Sequence, residues 1–312
     1  MAKNEKLYQR ILELSKSKIS KKYAGQILFN EKLVKSPEAG RHAIRSYTGA
    51  MGSENRENYK HVLIDWETGI PEPEPTEYGV HDIDCEKGIA CLFDIHLPFH
   101  DLDTINEVIE RQNEYDVLVI QEVFDFYALS KFTKTKELLA AQEQEMWFQF
   151  ADHLKKHLPT HRIIFQQGNH DERYKIYLWQ SAQAVANMVG MSFREIMDFE
   201  GFDIELIPER NLLKYRSLFI GHGHELGVRS GGVNPARTFF LKTNGNFIGG
   251  HLHKTSEHIA RNINDDVKGC WSVGCACELH PAYMPVNQWN NGYAIIRPSK
   301  QHNFRVENVK IF

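Results

Sequence analysis

The chain of 312 residues contains no apolar run approaching the roughly 20 residues that a membrane-spanning helix requires. Its start, Met1-Ala2-Lys3-Asn4-Glu5-Lys6, leads into no apolar stretch, so no secretory leader is visible and no membrane partner is expected. Cysteine is scarce, with five residues at 85, 91, 270, 275 and 277. An odd count this low argues against a disulfide scaffold and points to reduced thiols in an intracellular, cytoplasmic protein. Cys270, Cys275 and Cys277 lack the second pair that a tetrahedral zinc site needs, and read as small buried residues on a strand around Trp271-Ser272-Val273-Gly274. No internal repeat or long low-complexity segment is present, which sets aside a repeat architecture.

Hydrophobic residues make up 42% and charged residues 25%, enough for a large domain with a real core and a small second unit. Net charge is −4 but unevenly placed. Residues 1–46 carry eleven Lys or Arg against four Glu, a balance of +7, which leaves −11 for the remainder. Such asymmetry suggests that the N-terminus meets an anionic partner, nucleic acid above all. Leu7, Ile11, Leu12 and Leu14 predict a helix over 5–18. A second helix begins near Ile19 or Ser20, with Tyr23, Ala24, Ile27 and Leu28 on one face. After a break at Asn30 to Lys35, Ser36 as N-cap and Pro37 in the first turn start a third, which runs to about Tyr47 and ends near Gly49 and Gly52. Three short helices over 1–50, the last one basic, look like a helix-turn-helix unit, with Arg41, His42, Arg45 and Ser46 facing a DNA groove. Residues 51–79 read as a linker whose Pro71-Glu72-Pro73-Glu74-Pro75 is stiff and extended.

From about residue 80 to 312 strands and helices alternate. Helices are expected over 101–113, 134–157, 172–199 and 235–244, and strands at 89–93, 117–121, 162–166, 204–207, 217–220, 246–249 and 270–275. Four of the apolar runs end in polar fragments rich in metal-ligand types: Asp94-Ile95-His96, Gly168-Asn169-His170-Asp171, Gly221-His222-Gly223 and Gly250-His251-Leu252-His253. Short apolar runs closed by glycine or polar clusters are buried strands that deliver loops. Imidazole and carboxylate suit Mn, Fe and Zn, and sites open to water at strand ends are where metal-assisted hydrolysis is done.

Over roughly residues 85 to 280, the order and types of these fragments resemble the calcineurin-like metallophosphoesterases. Four of that family's five motifs are matched. In the second, Gly-Asp-x-x-Asp is replaced by Gln121-Glu122-Val123-Phe124-Asp125, so Glu122, one methylene longer, holds the place of the bridging aspartate. Gln121 in place of glycine adds bulk at what should be a tight loop. The resemblance implies an α/β fold, a four-layer α/β/β/α sandwich of two mixed sheets with metals at strand C-termini. It also implies two divalent ions, Mn²⁺ favoured and Fe, Zn or Mg compatible. Asp94, His96 and His253 would bind the first, and Asn169, His222 and His251 the second. Glu122 would bridge them, and a bridging hydroxide would attack phosphorus. His224 competes with His222, which lies nearer the strand end. His170 would be the general acid and Asp125 its support, while Asp171 would brace its loop. Arg173 would contact substrate phosphate or make a surface ion pair. His100, His258 and His280 are read as surface or substrate-side residues.

The function expected is a metal-dependent phosphodiesterase or nuclease acting on nucleic acid. A helix-turn-helix-like segment before such a domain resembles phage or mobile-element proteins. A homodimer would suit two DNA half-sites. A phosphatase or cyclic-nucleotide phosphodiesterase remains open among enzymes. From another class, so does a DNA-binding or assembly protein whose metal site is catalytically silent.

Overall fold

The computed structural model describes residues 3–17, 19–47, 78–131, 134, 137–301 and 303–312. The chain divides into two compact units between Thr76 and Glu77. The first holds α1 (Lys3–Lys16), α2 (Lys21–Asn30) and α3 (Pro37–Tyr47). Ser20 caps α2 by accepting the Tyr23 amide, and Ser36 accepts that of Ala39 at the start of α3. Ile11, Leu14, Ala24, Leu28 and Ile44 form a small core. α2 and α3 cross where Gly25 and Gly40 touch. A Cβ on Gly25 would lie 2.6 Å from the Arg41 nitrogen, so only glycine permits this approach. The expected end of the third helix at Gly49 and Gly52 lies outside the described residues, as does the linker apart from Tyr78 and Gly79.

The second unit contains β1 (Val80–Asp82), β2 (Ile89–Phe93), α4 (Leu102–Glu110), β3 (Val117–Gln121), α5 (Ala140–His157), β4 (Arg162–Gln166), α6 (Glu172–Ser181), α7 (Phe193–Ile196), β5 (Glu205–Ile207), β6 (Leu212–Tyr215), β7 (Leu218–Gly221), α8 (Pro235–Thr243), β8 (Asn246–Gly249), β9 (Ser256–Arg261), β10 (Val267–Ser272), β11 (Gly292–Ser299) and β12 (Asn303–Lys310). One mixed sheet runs β12-β11-β2-β3-β4-β5 and the other β1-β6-β7-β8-β10-β9. Period-two alternation explains why the central strands are apolar throughout. Ile89, Cys91, Phe93, Val117, Val119 and Ile164 face Leu213, Leu218, Ile220 and Ile248 between the sheets. Ala90, Leu92, Leu118, Ile120 and Phe165 face the other way, onto Ile105 and Val108 of α4 and Trp147 and Leu154 of α5. On the far side Ala236 and Phe239 of α8 cover Phe247 and Cys270. These three apolar layers make the four-layer α/β/β/α sandwich. Among the described residues no helix is long and apolar enough to cross a membrane.

Three expectations need correction. The helix expected over 172–199 breaks after Ser181. Gly190 takes a φ of +83°, and Ser192 with Glu195 forms a capping box that starts α7 afresh. The helix expected from 134 begins at Ala140. β10 ends at Ser272, so Cys275 and Cys277 lie beyond it in isolated bridges, although both are buried.

Candidate metal centre

The loops that carry the site follow β2, β3 and β4, parallel neighbours in one sheet, and β7 and β8, parallel neighbours in the other. Their C-terminal ends therefore open at the same place. Asp94, His96, Glu122, His251 and His253 all adopt positive φ, between 46° and 68°. Non-glycine residues adopt the left-handed region at a cost, and hold it where surrounding structure dictates it, most often at functional sites.

The side chains converge in two groups that share Glu122. Ligand atoms of Asp94, His96, Glu122 and His253 lie within 4.8 Å of one another, as do those of Glu122, His222 and His251. His222 Nε2 is 2.6 Å from Glu122 Oε2 and 3.1 Å from Asp94 Oδ1. His253 Nε2 is 3.3 Å from both Asp94 Oδ1 and His96 Nε2. Ligands bonded to one ion at about 2.1 Å stand roughly 3.0–3.4 Å apart, so the 3.1 and 3.3 Å spacings suit a divalent cation, while the 2.6 Å contact is a charged hydrogen bond. Asn169 Oδ1, on the loop whose His170 amide meets Glu122, is a further candidate donor. It is shut away from solvent without a hydrogen-bond partner, as a ligand oxygen facing a cation would be. The backbone amides of His170 and His251 hold the two carboxylates, donating to Glu122 Oε1 at 2.6 Å and Asp94 Oδ2 at 2.8 Å.

Electrostatics follow from this crowding. Burial opposes the charge on Asp94, but the His253 and His222 imidazoles prevail and hold its carboxyl below the usual range. Burial likewise opposes Glu122, which His222 and His170 keep ionised. Against burial, Glu122 and Asp94 raise His222, and Asp94 pushes His253 up to about 10. Burial and the neighbouring His170 push His96 down to about 3, and burial with His222 takes His251 to about 4.

Beside the clusters, Asp125 Oδ2 stands 3.6 Å from Nδ1 of both His96 and His170. Arg173 is turned inward. Its Nη1 donates to Asp125 Oδ1 at 3.0 Å and to the Asp125 carbonyl at 2.6 Å, and its Nη2 donates to His170 Nε2 at 2.8 Å. The surface ion pair weighed for Arg173 is thus a half-buried one. His222 lies inside the clusters and His224 behind it. His224 Nδ1 is 3.0 Å from His222 Nδ1, and its Nε2 is 3.0 Å from Glu172 Oε1. The spacing of the motif did not reveal this carboxylate–imidazole support. His251 Nε2 meets the Val228 carbonyl at 2.9 Å, which leaves Nδ1 to face the cluster. Asp171 braces its loop by accepting the Gly168 and Phe124 amides.

Gln121 does not sit in a tight loop. It ends β3, paired with Gln166 of β4, and its buried Nε2 donates to Gln166 Oε1 at 2.6 Å. Glu143, which carries no motif signal, is buried and accepts the Phe126 and Tyr127 amides after Asp125. His280 lines the neighbouring cavity, His258 packs on Phe240, and His100 pairs across to Cys277. In the N-terminal unit Arg41 pairs with Glu38, His42 is exposed 3.6 Å from the same carboxylate, and Arg45 is half-buried. The metal, catalytic and substrate residues expected from sequence are thus brought together, while Arg41, His42 and Arg45 belong to the other unit.

A scan against protein-family models finds no match, nor does a search of curated proteins. Among solved structures, a single mutant of Vps29 from Entamoeba histolytica is similar at 13% identity and a TM-score of 0.34, covering 72% of this chain and 99% of its own. Vps29 from Chaetomium thermophilum is similar at 11% identity and a TM-score of 0.31, covering 72% of this chain and 95% of its own.

Proposed function

We propose that this chain is a divalent-metal-dependent phosphoesterase, and that its substrate is a nucleic-acid phosphodiester. The observation that carries the reading is the pair of ligand clusters sharing Glu122, with the His170–Asp125 pair beside them at one end of a cavity of about 840 Å³. Asp94, His96, Glu122 and His253 would hold one ion. Glu122, Asn169, His222 and His251 would hold a second. A donor set of imidazole, carboxylate and amide oxygen favours Mn²⁺ and accepts Fe, Zn or Mg. Bound there, the ions supply Lewis-acid polarisation of the phosphoryl oxygens and an acidified water.

The chain's own residues do the rest. His170 gives a proton to the departing oxygen, with Asp125 fixing the ring. Arg173 now occupies His170 Nε2, so that nitrogen is free to act only when the guanidinium leaves it. An arriving phosphate, which Arg binds in bidentate fashion, would draw Arg173 away and leave Nε2 free to take up from solvent the proton that His170 then gives to the departing oxygen. The basic helices of residues 1–46 would hold nucleic acid through its phosphates, in the manner of a helix-turn-helix unit. That binding would show a steep salt dependence and would suit a homodimer.

The test is hydrolysis of bis(p-nitrophenyl) phosphate with Mn²⁺ by the full-length protein. His251→Ala should abolish turnover. His170→Asn should abolish it while leaving bound metal unchanged. No turnover by metal-loaded protein across a range of divalent ions would overturn the reading. It would favour instead a DNA-binding or assembly protein in which the 2.6 Å Glu122–His222 contact is an end in itself.

A further inference from the structure

We propose that the cavity beside the metal centre is a nucleobase site, so that the substrate is held by one flanking base as well as by its phosphate. This deepens the phosphodiesterase reading and rests on it for the placement of the phosphoryl group. The cavity, about 840 Å³, is of a size to enclose a nucleotide unit. His96, Asp125, His170 and Arg173 form one end of it, and Tyr283, Met284 and Trp289 another part of its wall. The first set suits an anion and the second a flat apolar group. Trp289 lies against the candidate ligand His253, with ring centroids 4.1 Å apart. Tyr283 meets Trp289 edge-on at 6.3 Å and 63°. Phe99 and Tyr127, also in the lining, form a second edge-on pair at 6.1 Å.

Tyr283 is 66% exposed and Met284 43%, so this wall turns apolar surface outward beside a charged centre. Left to water such surface is unfavourable, and covered by a base it becomes a stacking platform. The His253 ring separates the ligand cluster from Trp289. A group stacked on Trp289 must therefore reach past that imidazole from the phosphate. A sugar between phosphate and base spans this gap, whereas an aryl ring bonded directly to phosphate does not. A nucleobase also brings a polar edge for Glu278 and His280, which share the lining.

Isothermal titration of the full-length protein in Mn²⁺ with adenosine 5′-monophosphate, ribose 5-phosphate and phenyl phosphate tests this without turnover. Adenosine monophosphate should bind at least about tenfold tighter than ribose 5-phosphate. Trp289→Ala should weaken the nucleotide by about 5- to 100-fold and leave the sugar phosphate unchanged, as stacking on one base would. Trp289→Phe should keep most of the preference. Tyr283→Ala, at an exposed ring that carries little folding risk, should lower the same preference if Trp289→Ala does not fold. Equal binding of nucleotide and sugar phosphate, a uniform loss for both, or tightest binding of phenyl phosphate would each overturn the nucleobase site. Bis(p-nitrophenyl) phosphate hydrolysis without nucleotide preference would sink this inference alone. Nucleotide preference without hydrolysis would sink the enzymatic reading and leave the base site standing.

Discussion

Glu122→Asp restores the aspartate that the metallophosphoesterase motif would have, and the structure says that it should damage this site. The substitution removes one C–C bond, so the carboxylate retracts by about 1.5 Å. Glu122 Oε1 now accepts the His170 amide at 2.6 Å and Oε2 meets His222 at 2.6 Å. Retraction takes both contacts to about 4 Å, past hydrogen-bonding range. Hydrogen bonds to charged groups contribute about 1.5–3 kcal/mol each, and the bond from the His170 amide is the one that holds the carboxylate in place for a metal, so its loss costs about 1.5–3 kcal/mol of metal binding. Aspartate tolerates the positive φ of 46° at this position better than glutamate, but that gain is a fraction of about 1 kcal/mol and does not reverse the sign. Mn²⁺ affinity should fall by about 10- to 150-fold, and turnover of bis(p-nitrophenyl) phosphate with it. Titration calorimetry with Mn²⁺ on the full-length protein reads the first effect directly. An aspartate variant that binds Mn²⁺ and turns over as well as the parent would refute the idea that the centre is built around the longer side chain.

Three further outcomes are expected. Gln121→Gly should destabilise the protein by about 2–4 kcal/mol in urea unfolding without raising activity, since it strips Gln166 Oε1 of its donor and places glycine in a central strand. His224→Ala should weaken metal binding by about 10- to 100-fold at nearly unchanged folding stability, because it removes the link from Glu172 to His222; unaltered affinity would show the pair to be incidental. Metal-free protein carries protons on His222 and on His253, which is pushed up to about 10. The stability these raised imidazoles provide is complete below about pH 6.5 and is lost in alkali, for His253 as pH rises through about 10, while that from the lowered Asp94 and Glu122 is present above about pH 4 and is lost in acid. Because ions need the neutral rings, Mn²⁺ affinity should rise from pH 6 to 9 with protons released, and calorimetry showing neither would contradict these charge states.

The core of the fold was legible because a strand buried on both faces reads as an unbroken apolar run. Ile89–Phe93, Val117–Gln121 and Arg162–Gln166 could be placed on that signal alone. Three of the four outer strands could not. Ser256–Arg261 alternates half-buried and exposed residues, Asn303–Lys310 has no fully buried residue, and Val80–Asp82 is only three residues long. Gly292–Ser299 did carry an apolar run, Tyr293 to Ile296, and its burial against Ile89–Phe93 shows that the signal was there to be used. At the site, residue types and order picked out the side chains that converge. Partners set by tertiary contact were hidden. Nothing in Gln121 announces Gln166 across the ladder, nothing in Glu172 announces His224, and the inward turn of Arg173 depends on where Asp125 lies.

The altered second motif is better understood as half of a fitted pair than as a worn copy. Gly168 opens the loop that bears Asn169 and His170, and a Cβ there would fall 2.7 Å from Glu122 Cβ and 3.0 Å from its Cγ. The longer side chain thus lies along the bare face of that glycine and is held by its contour. Its tip then reaches the His170 amide on the same loop, so the residue shared by the two ligand clusters also fixes the start of the segment bearing the His170 side chain. The left-handed backbone at Asp94, His96, Glu122, His251 and His253 would be a liability in a site without selection for its geometry, because each such residue costs of order 1 kcal/mol or more. Decay would be expected to relax that strain first and to leave an orphaned carboxylate in the core. Here Glu122 is buried, doubly engaged and common to both clusters, which is the arrangement that the proposed metal centre requires.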